Sequence, residues 1–199
     1  MGSPQEVDKP PLAGVLLAAG SSTRLGQPKQ LIAFNGVPLV VHAAKQALDQ
    51  CDAGLIIVTG ACHEAVVEVL NDLPVRAIYN PNWREGMASS IRTGVTGIAQ
   101  DAGAILLMVC DQAMIDRTDI AGLVSAWKLE AHQIAAAGYA GSHGVPAIFP
   151  DRFRAGLLKL HGDRGAKSII DAAANVSVVD MPNAEFDLDT VDQLENLKI

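Results

Sequence analysis

The chain has 199 residues, a length that suits one domain, and 49% of them are hydrophobic against 19% charged, so a full packed core can form. Aromatic residues are only 4%, which leaves Ala, Val, Ile and Leu to fill that core, as in buried parallel sheets. A net charge of -7 argues against non-specific binding to nucleic acid or to an anionic membrane.

Residues 1–11 carry three prolines and several polar residues without an apolar signal core, and read as a flexible leader to a single domain over residues 12–199. The apolar run at 15–18, closed by Gly20, Ser21 and Ser22, predicts a buried strand entering a loop. Residues 38–49 repeat apolar side chains at helical spacing. A strand is predicted at 55–59, a helix at 65–70, a short strand at 76–79, a helix at 89–98 and the most apolar strand at 104–109. Ile120, Leu123, Val124 and Trp127 mark another helix. Two strands at 134–137 and 145–149 flank a glycine-rich excursion. Helical material follows within 157–174, then a strand at 176–179. Thr190 and Gln193 have capping-box spacing and predict a last helix. Strands alternating with helices predict an α/β domain with a mainly parallel sheet.

Cys51, Cys62 and Cys110 are odd in number and form no CxxC pair, which favours a reduced, cytoplasmic setting and disfavours a zinc site. His42, His63, His132 and His161 show no paired ligand spacing.

Five segments carry chemistry. In residues 17–31, LAAGSSTRLGQPKQL, small residues after a strand let backbone N–H groups approach an anion, and Arg24 and Lys29 add two cations suited to a triphosphate. An ordinary strand–loop–helix turn with solvated charges would look the same. The Walker pattern and the G-x-G-x-x-G fingerprint are both absent from this loop. Asp111, in CDQ, follows the most apolar strand, where an acid is placed to hold a hydrated Mg²⁺ or simply to cap a helix. Asp187 and Asp189 share one face of an extended segment, and Asp189 could equally cap the last helix. The segment WREGMASS could frame a base or ribose, or use Ser89 or Ser90 as an N-cap. The GSHGVP and GDRGAK segments are turns or ligand loops.

Taken in order, LAAGSSTRLGQPKQL, GMASSI, CDQ, HGVPAIF, GDRGAK and DLDT resemble the MobA-like nucleotidyltransferases across nearly the whole chain, and most closely the molybdenum-cofactor cytidylyltransferases. The resemblance implies a Rossmann-like nucleotidyltransferase fold with helices on both faces of a mostly parallel sheet. It implies nucleotide binding by Ala18, Ala19, Gly20, Ser21, Ser22, Arg24, Lys29, Gly86, Ser89 and Ser90, with Arg24, Lys29 and Asp111 catalytic. Asp111 and Asp189 would hold Mg²⁺, with Asp187 as a helper. His143, Gly144 and Asp163 would face the acceptor.

Ala19 stands where guanylyltransferases of this superfamily usually carry Gly, which favours CTP, as does the continuation Lys29-Gln30-Leu31. The implied acceptor is molybdopterin, and a molybdoenzyme or delivery partner would receive the product. A guanylyltransferase or a sugar-phosphate nucleotidyltransferase fits the same motifs. A catalytically silent nucleotide-binding or cofactor-delivery protein is the alternative from another class. The family usually follows CDQ with Pro, whereas this chain has Ala113-Met114, which implies a reshaped acceptor wall.

Overall fold

The computed structural model describes residues 10–22 and 26–188. Arg24, Asp189, the Thr190–Gln193 capping box and most of the leader lie outside the described residues. Pro11 already belongs to the fold, because its carbonyl accepts from Gly103 N at 2.8 Å.

The strands are β1 (Leu12–Ala18), β2 (Ala33–Phe34), β3 (Val37–Pro38), β4 (Leu55–Thr59), β5 (Arg76–Tyr79), β6 (Ala104–Val109), β7 (Ile134–Tyr139), β8 (Ser142–Pro150) and β9 (Val176–Asp180). The α-helices are α1 (Leu39–Ala47), α2 (His63–Leu70), α3 (Met87–Gly97), α4 (Arg117–Leu129), α5 (Arg154–Leu158) and α6 (Lys167–Ala172). Seven strands form one sheet in the order β5-β4-β1-β6-β8-β7-β9, while β2 and β3 make a small separate hairpin. Only β8 runs antiparallel to its sheet neighbours, β6 and β7. Among the described residues no helix is long and apolar enough to cross a membrane.

The continuous apolar runs follow from burial on both sheet faces. Along β1, Leu12, Leu16 and Ala18 join one core with α1, α2 and α4, whereas Ala13, Val15 and Leu17 join the other with α3, α5 and α6. A strand alternates its side chains between faces, so only an apolar residue at every position satisfies two helical layers. Each fully buried Leu or Ile contributes ~1.5–3 kcal/mol by leaving water. Gly94 lets α3 settle closely on the sheet: a Cβ there would stand 2.9 Å from Val58 and closer still to Val15.

Two sequence expectations shift. Helix α3 begins at Met87 rather than at residue 89, with Gly86 at its N-cap, so Ser89 and Ser90 lie inside the helix and not at its cap. The helical material expected within 157–174 is two short helices, the first starting earlier, at Arg154, and a loop between them docks on α3: Ala88 N donates to Gly162 O at 3.1 Å, and Arg92 Nη1 donates to Leu160 O at 2.6 Å.

Candidate active site

The chain winds from β1 outward through β4 and β5, then returns to place β6 on the other side of β1. Ligands of open α/β sheets bind at such a reversal, beyond the carboxyl ends of the strands. The loops after β1 and β6 both emerge there. Between them and the start of α3 lies a cleft of about 870 Å³, lined by Ala18 to Ser21, Lys29, Gln30, Trp83, Arg84, Gly86, Met87, Ser90, Val109 to Asp111 and Asp163.

The loop after β1 is held from beneath. Gln30 is 1% exposed, and its Nε2 donates to the carbonyls of Ala18 (3.1 Å) and Gly20 (2.6 Å). Ser22 adopts φ 53, and its Oγ accepts from Lys29 N at 3.0 Å. These contacts tie the carbonyls and the serine hydroxyl inward, as a loop must if its backbone donors are to serve an anion.

Lys29 Nζ donates to Asp111 Oδ2 at 2.5 Å, with both side chains under 20% exposed (17% and 19%). Sequence-distant segments thus bring an acid and a cation together at the cleft. Asp111 Oδ1 is buried without a hydrogen-bond partner, and so are the amide oxygens of Gln30 and the neighbouring Gln112. The segment carrying Asp187 crosses this strand end: Gln112 and Asp187 form an antiparallel bridge, and Leu188 N donates to Asp111 O at 2.9 Å. Gln112 staples it further, its Nε2 donating to Val145 O (3.0 Å) and Ala184 O (2.8 Å). Tyr139 registers the convergence of acids. Burial first, then the charges of Asp187 and Asp111, push its phenol above the ordinary range. Burial, aided by the Asp111 charge, pushes the Cys110 thiol up as well and keeps it from acting as a nucleophile.

A hard divalent ion suits this place. It takes oxygen ligands and only one or two protein carboxylates. Asp111 Oδ1 is an unsatisfied carboxylate oxygen, and Asp187 lies on the adjoining segment. Among the described residues no group of three or more His, Cys, Asp or Glu could form a fuller protein cage.

The opposite wall is the turn before α3. Gly86 has φ 106, and a Cβ there would stand 2.6 Å from Gly162 O and closer still to Asp163 Oδ1, so only glycine fits. Ser90 lines the cleft. Ser89 does not. Its Oγ lies within hydrogen-bond distance of Asn82 O (2.8 Å), Gly86 O (2.9 Å) and Asn80 Nδ2 (2.9 Å), so it braces the turn from behind rather than meeting a base. Asp163, expected on the acceptor side, lines the large cleft instead, because the 160–165 loop docks on α3.

A second cavity of about 430 Å³ opens beside the first and shares Leu17, Met87 and Val109 with it. His143 and Gly144, expected on the acceptor side, line this one. Ala113 and Met114 line neither cavity. Ala113 is 1% exposed and packs with Ile32, Leu39 and Leu188, whereas Met114 is exposed.

Three residues inside the quoted motifs were given no role of their own by the sequence and prove to be supports and liners. Gln30 and Gln112 look like surface glutamines in a pattern of polar and apolar letters, yet both are buried. Arg84 stacks its guanidinium 4.3 Å from the Trp83 ring centroid at the cleft edge, and its place beside Gly86 in a loop before a helix was the available signal.

Comparison with known proteins agrees with this geometry. A nicotine blue oxidoreductase of Paenarthrobacter nicotinovorans is 30% identical over 96% of this chain and 98% of that one. A probable molybdenum cofactor guanylyltransferase of Rhodopirellula baltica is 28% identical over 63% of this chain and 60% of that one. The crystal structure of Rv0371c from Mycobacterium tuberculosis superposes with a TM-score of 0.83 at 26% identity, covering 94% of this chain and 97% of that one. The model of the MobA-like NTP transferase domain matches residues 14–178, and the chain belongs to that family.

Proposed function

We propose that this protein is a magnesium-dependent nucleotidyltransferase that moves CMP from CTP onto a phosphorylated acceptor, molybdopterin by resemblance, and releases pyrophosphate. The observation that carries the reading is the meeting of Lys29 with Asp111, at 2.5 Å, beneath the braced loop at the sheet's switch point. That arrangement joins an anion-binding loop, a cation and a carboxylate at the mouth of one cleft.

In the proposed reaction an oxygen of the acceptor phosphate attacks the α-phosphorus of CTP in line. A P–O bond to the acceptor forms, and the bond from the α-phosphorus to the bridging oxygen breaks, its electron pair leaving with pyrophosphate. The acceptor phosphate is already ionised near neutral pH, so no side-chain base is needed. The backbone donors of residues 19–22 and the Lys29 ammonium stabilise the charge that builds on the departing phosphates. Trp83, Gly86 and Ser90 shape the wall against which the nucleoside lies. Bound Mg²⁺, held by Asp111 with a carboxylate of the 187–189 segment, would neutralise phosphate charge and polarise the α-phosphoryl group.

The preference for CTP rests on Ala19, which is 6% exposed at the cleft. Pyrophosphate release with CTP or GTP, Mg²⁺ and molybdopterin tests the reading. Equal or better use of GTP would overturn the cytidylyl assignment alone. Nucleotide binding without release under any acceptor would leave a binding or delivery protein.

A second reading draws on the full-length relative named an oxidoreductase. In that case the same fold would reduce its substrate. Consumption of an electron donor without pyrophosphate release would establish it over transfer.

A further inference from the structure

We infer that the second cavity seats the acceptor and that Lys167 recognises the acceptor's anionic group; this rests on the nucleotidyltransferase reading. The floor of the cavity is Leu107 and Val109 of β6 with Val145 of β8, and the Tyr139 ring forms one side. Among the lining residues the exposed Lys167 carries the cationic charge, beside the His143 ring. Such a pocket accepts a flat, largely apolar or heterocyclic body with one anionic end. A flat ring can lay one face on this floor and keep its polar edge groups away from it, whereas a polyhydroxylated sugar, with hydroxyls all round its ring, would bury some of them unpaired. A volume of about 430 Å³ is ample for a small fused-ring acceptor.

The rim is arranged to keep the Lys167 charge available. Asp171 lies one helical turn after Lys167 on α6, the spacing at which opposite charges normally pair. Here Asp171 instead meets His143, Nε2 to Oδ1 at 2.7 Å. Lys167 Nζ donates to two neutral acceptors, Ser142 Oγ at 2.6 Å and the His143 carbonyl at 2.8 Å. No described carboxylate stands within ion-pair distance of it. Two hydrogen bonds therefore anchor the ammonium to hairpin residues that line the cavity without neutralising it, and the His143–Asp171 contact occupies the carboxylate one turn away. Because the cavity shares Val109 with the nucleotide cleft, two residues before Asp111, an anion held at this rim faces the end of β6 where transfer would occur.

The test compares wild-type protein with Lys167→Met, Lys167→Gln and Lys167→Arg. Calorimetry measures binding of molybdopterin and of CTP with Mg²⁺, and steady-state assays follow pyrophosphate release. Loss of a charge-assisted contact predicts a ten- to hundredfold rise in Kd and KM for molybdopterin in the Met and Gln variants, with CTP affinity within twofold of wild type. Gln keeps a donor for the hairpin, so a merely structural anchor would leave that variant intact, and such a result overturns the proposal. Arg should recover most of the affinity. Glucose 1-phosphate should bind at least tenfold more weakly than molybdopterin; equal binding overturns the apolar-acceptor inference. Absence of molybdopterin binding by wild-type protein that binds CTP also overturns it and leaves the transferase reading standing. Absence of binding to any nucleoside triphosphate, with molybdopterin still bound through Lys167, sinks the transferase reading instead.

Discussion

The two ends of the sheet do different work with different architecture. On the β5-β4-β1-β6 side every strand is parallel, so the loops that follow the strands all emerge at the same edge. The polar residues of that side are consequently concentrated after β1 and β6, at one cleft. On the β8-β7-β9 side the antiparallel β8 turns the chain back on itself through a tight hairpin, with Ala140 at φ 49 and Gly141 at φ 69. Its functional groups sit on the hairpin and on α6, and they meet by lateral contacts between Lys167, Ser142, His143 and Asp171. A parallel half thus builds a site from strand ends, whereas an antiparallel half builds one from a wall. The first should fail completely when a strand-end group is lost, and the second should fail by degrees.

The sharpest way to break this contrast is Asp111→Asn. It keeps the size of the side chain but removes the charge that pairs with Lys29 and would face Mg²⁺. Turnover should fall by at least about a hundredfold, since removal of one preorganised electrostatic contact at the reacting phosphate costs roughly 2.7–4 kcal/mol of barrier. Asp171→Asn on the other side should change molybdopterin KM by less than about fivefold, because an exposed pair contributes ~0–1 kcal/mol. Pyrophosphate assays decide the matter, and comparable losses from both variants would erase the distinction.

Lys29→Met comes next. It removes a cation from the cleft and leaves the Asp111 carboxylate without its partner. Nucleotide affinity should drop by about one to two decades, roughly 1.5–3 kcal/mol. Melting temperature should fall in the absence of Mg²⁺ and recover when the ion is added, as linkage to a bound cation requires. A variant that binds CTP normally would remove Lys29 from the site.

Gly86→Ala tests whether the α3 turn is a built wall of the cleft or an incidental loop. The added methyl would press on Gly162 and Asp163 while the backbone keeps a φ of 106. A cost of about 1–3 kcal/mol is expected for such a backbone position, with weakened CTP binding in the folded fraction. Calorimetry and thermal melts read the two effects separately. A variant of unchanged melting temperature and unchanged CTP affinity would show that the turn yields freely.

The same contrast explains what was legible in the sequence. Parallel strands buried on both faces write themselves as apolar runs, so β1, β4, β6 and the motifs that follow them could be found from letters alone. The residues Lys29 and Asp111 were readable because each follows such a run. Their pairing became visible only through topology, since β6 returns to lie beside β1. The antiparallel direction of β8 left no mark, because a short apolar run reads the same in either direction. The surroundings of Asp163 were illegible for a related reason. Which face of the α3 turn meets the cleft depends on where the 160–165 loop docks, a long-range contact with no local signature. The bracing roles of Gln30 and Gln112 were illegible although both stand in quoted motifs, because burial of a glutamine depends on the backbone carbonyls brought to it from elsewhere in the chain.

The smallest effect uses the thiols as reporters of one half. All three cysteines belong to the parallel side: Cys51 and Cys110 are buried, and Cys62 is half-buried. Burial, with a lesser push from Asp52, raises the Cys51 thiol from its ordinary value of 9.0 to about 12, and burial raises Cys110 too. In the unfolded chain both ionise near their ordinary value. Between that value and the folded one the unfolded state holds fewer protons, so stability falls as pH rises. The contribution is fully present below about pH 8 and is lost by up to ~1.4 kcal/mol per pH unit for each thiol above its ordinary pKa. Urea midpoints between pH 8 and pH 9.5 should therefore decline, and Cys51→Ala should flatten part of that decline; an unchanged slope would show that the thiol is not sealed. Native-state alkylation at pH 8 gives the finer reading. Cys62 should react first, while Cys51 and Cys110 should wait for the core to open. If those two become labelled while amide hydrogens of β7 and β8 remain protected, the parallel half opens as a unit of its own. Equal rates would make the two halves one cooperative structure, and the difference between them would then be one of chemistry alone.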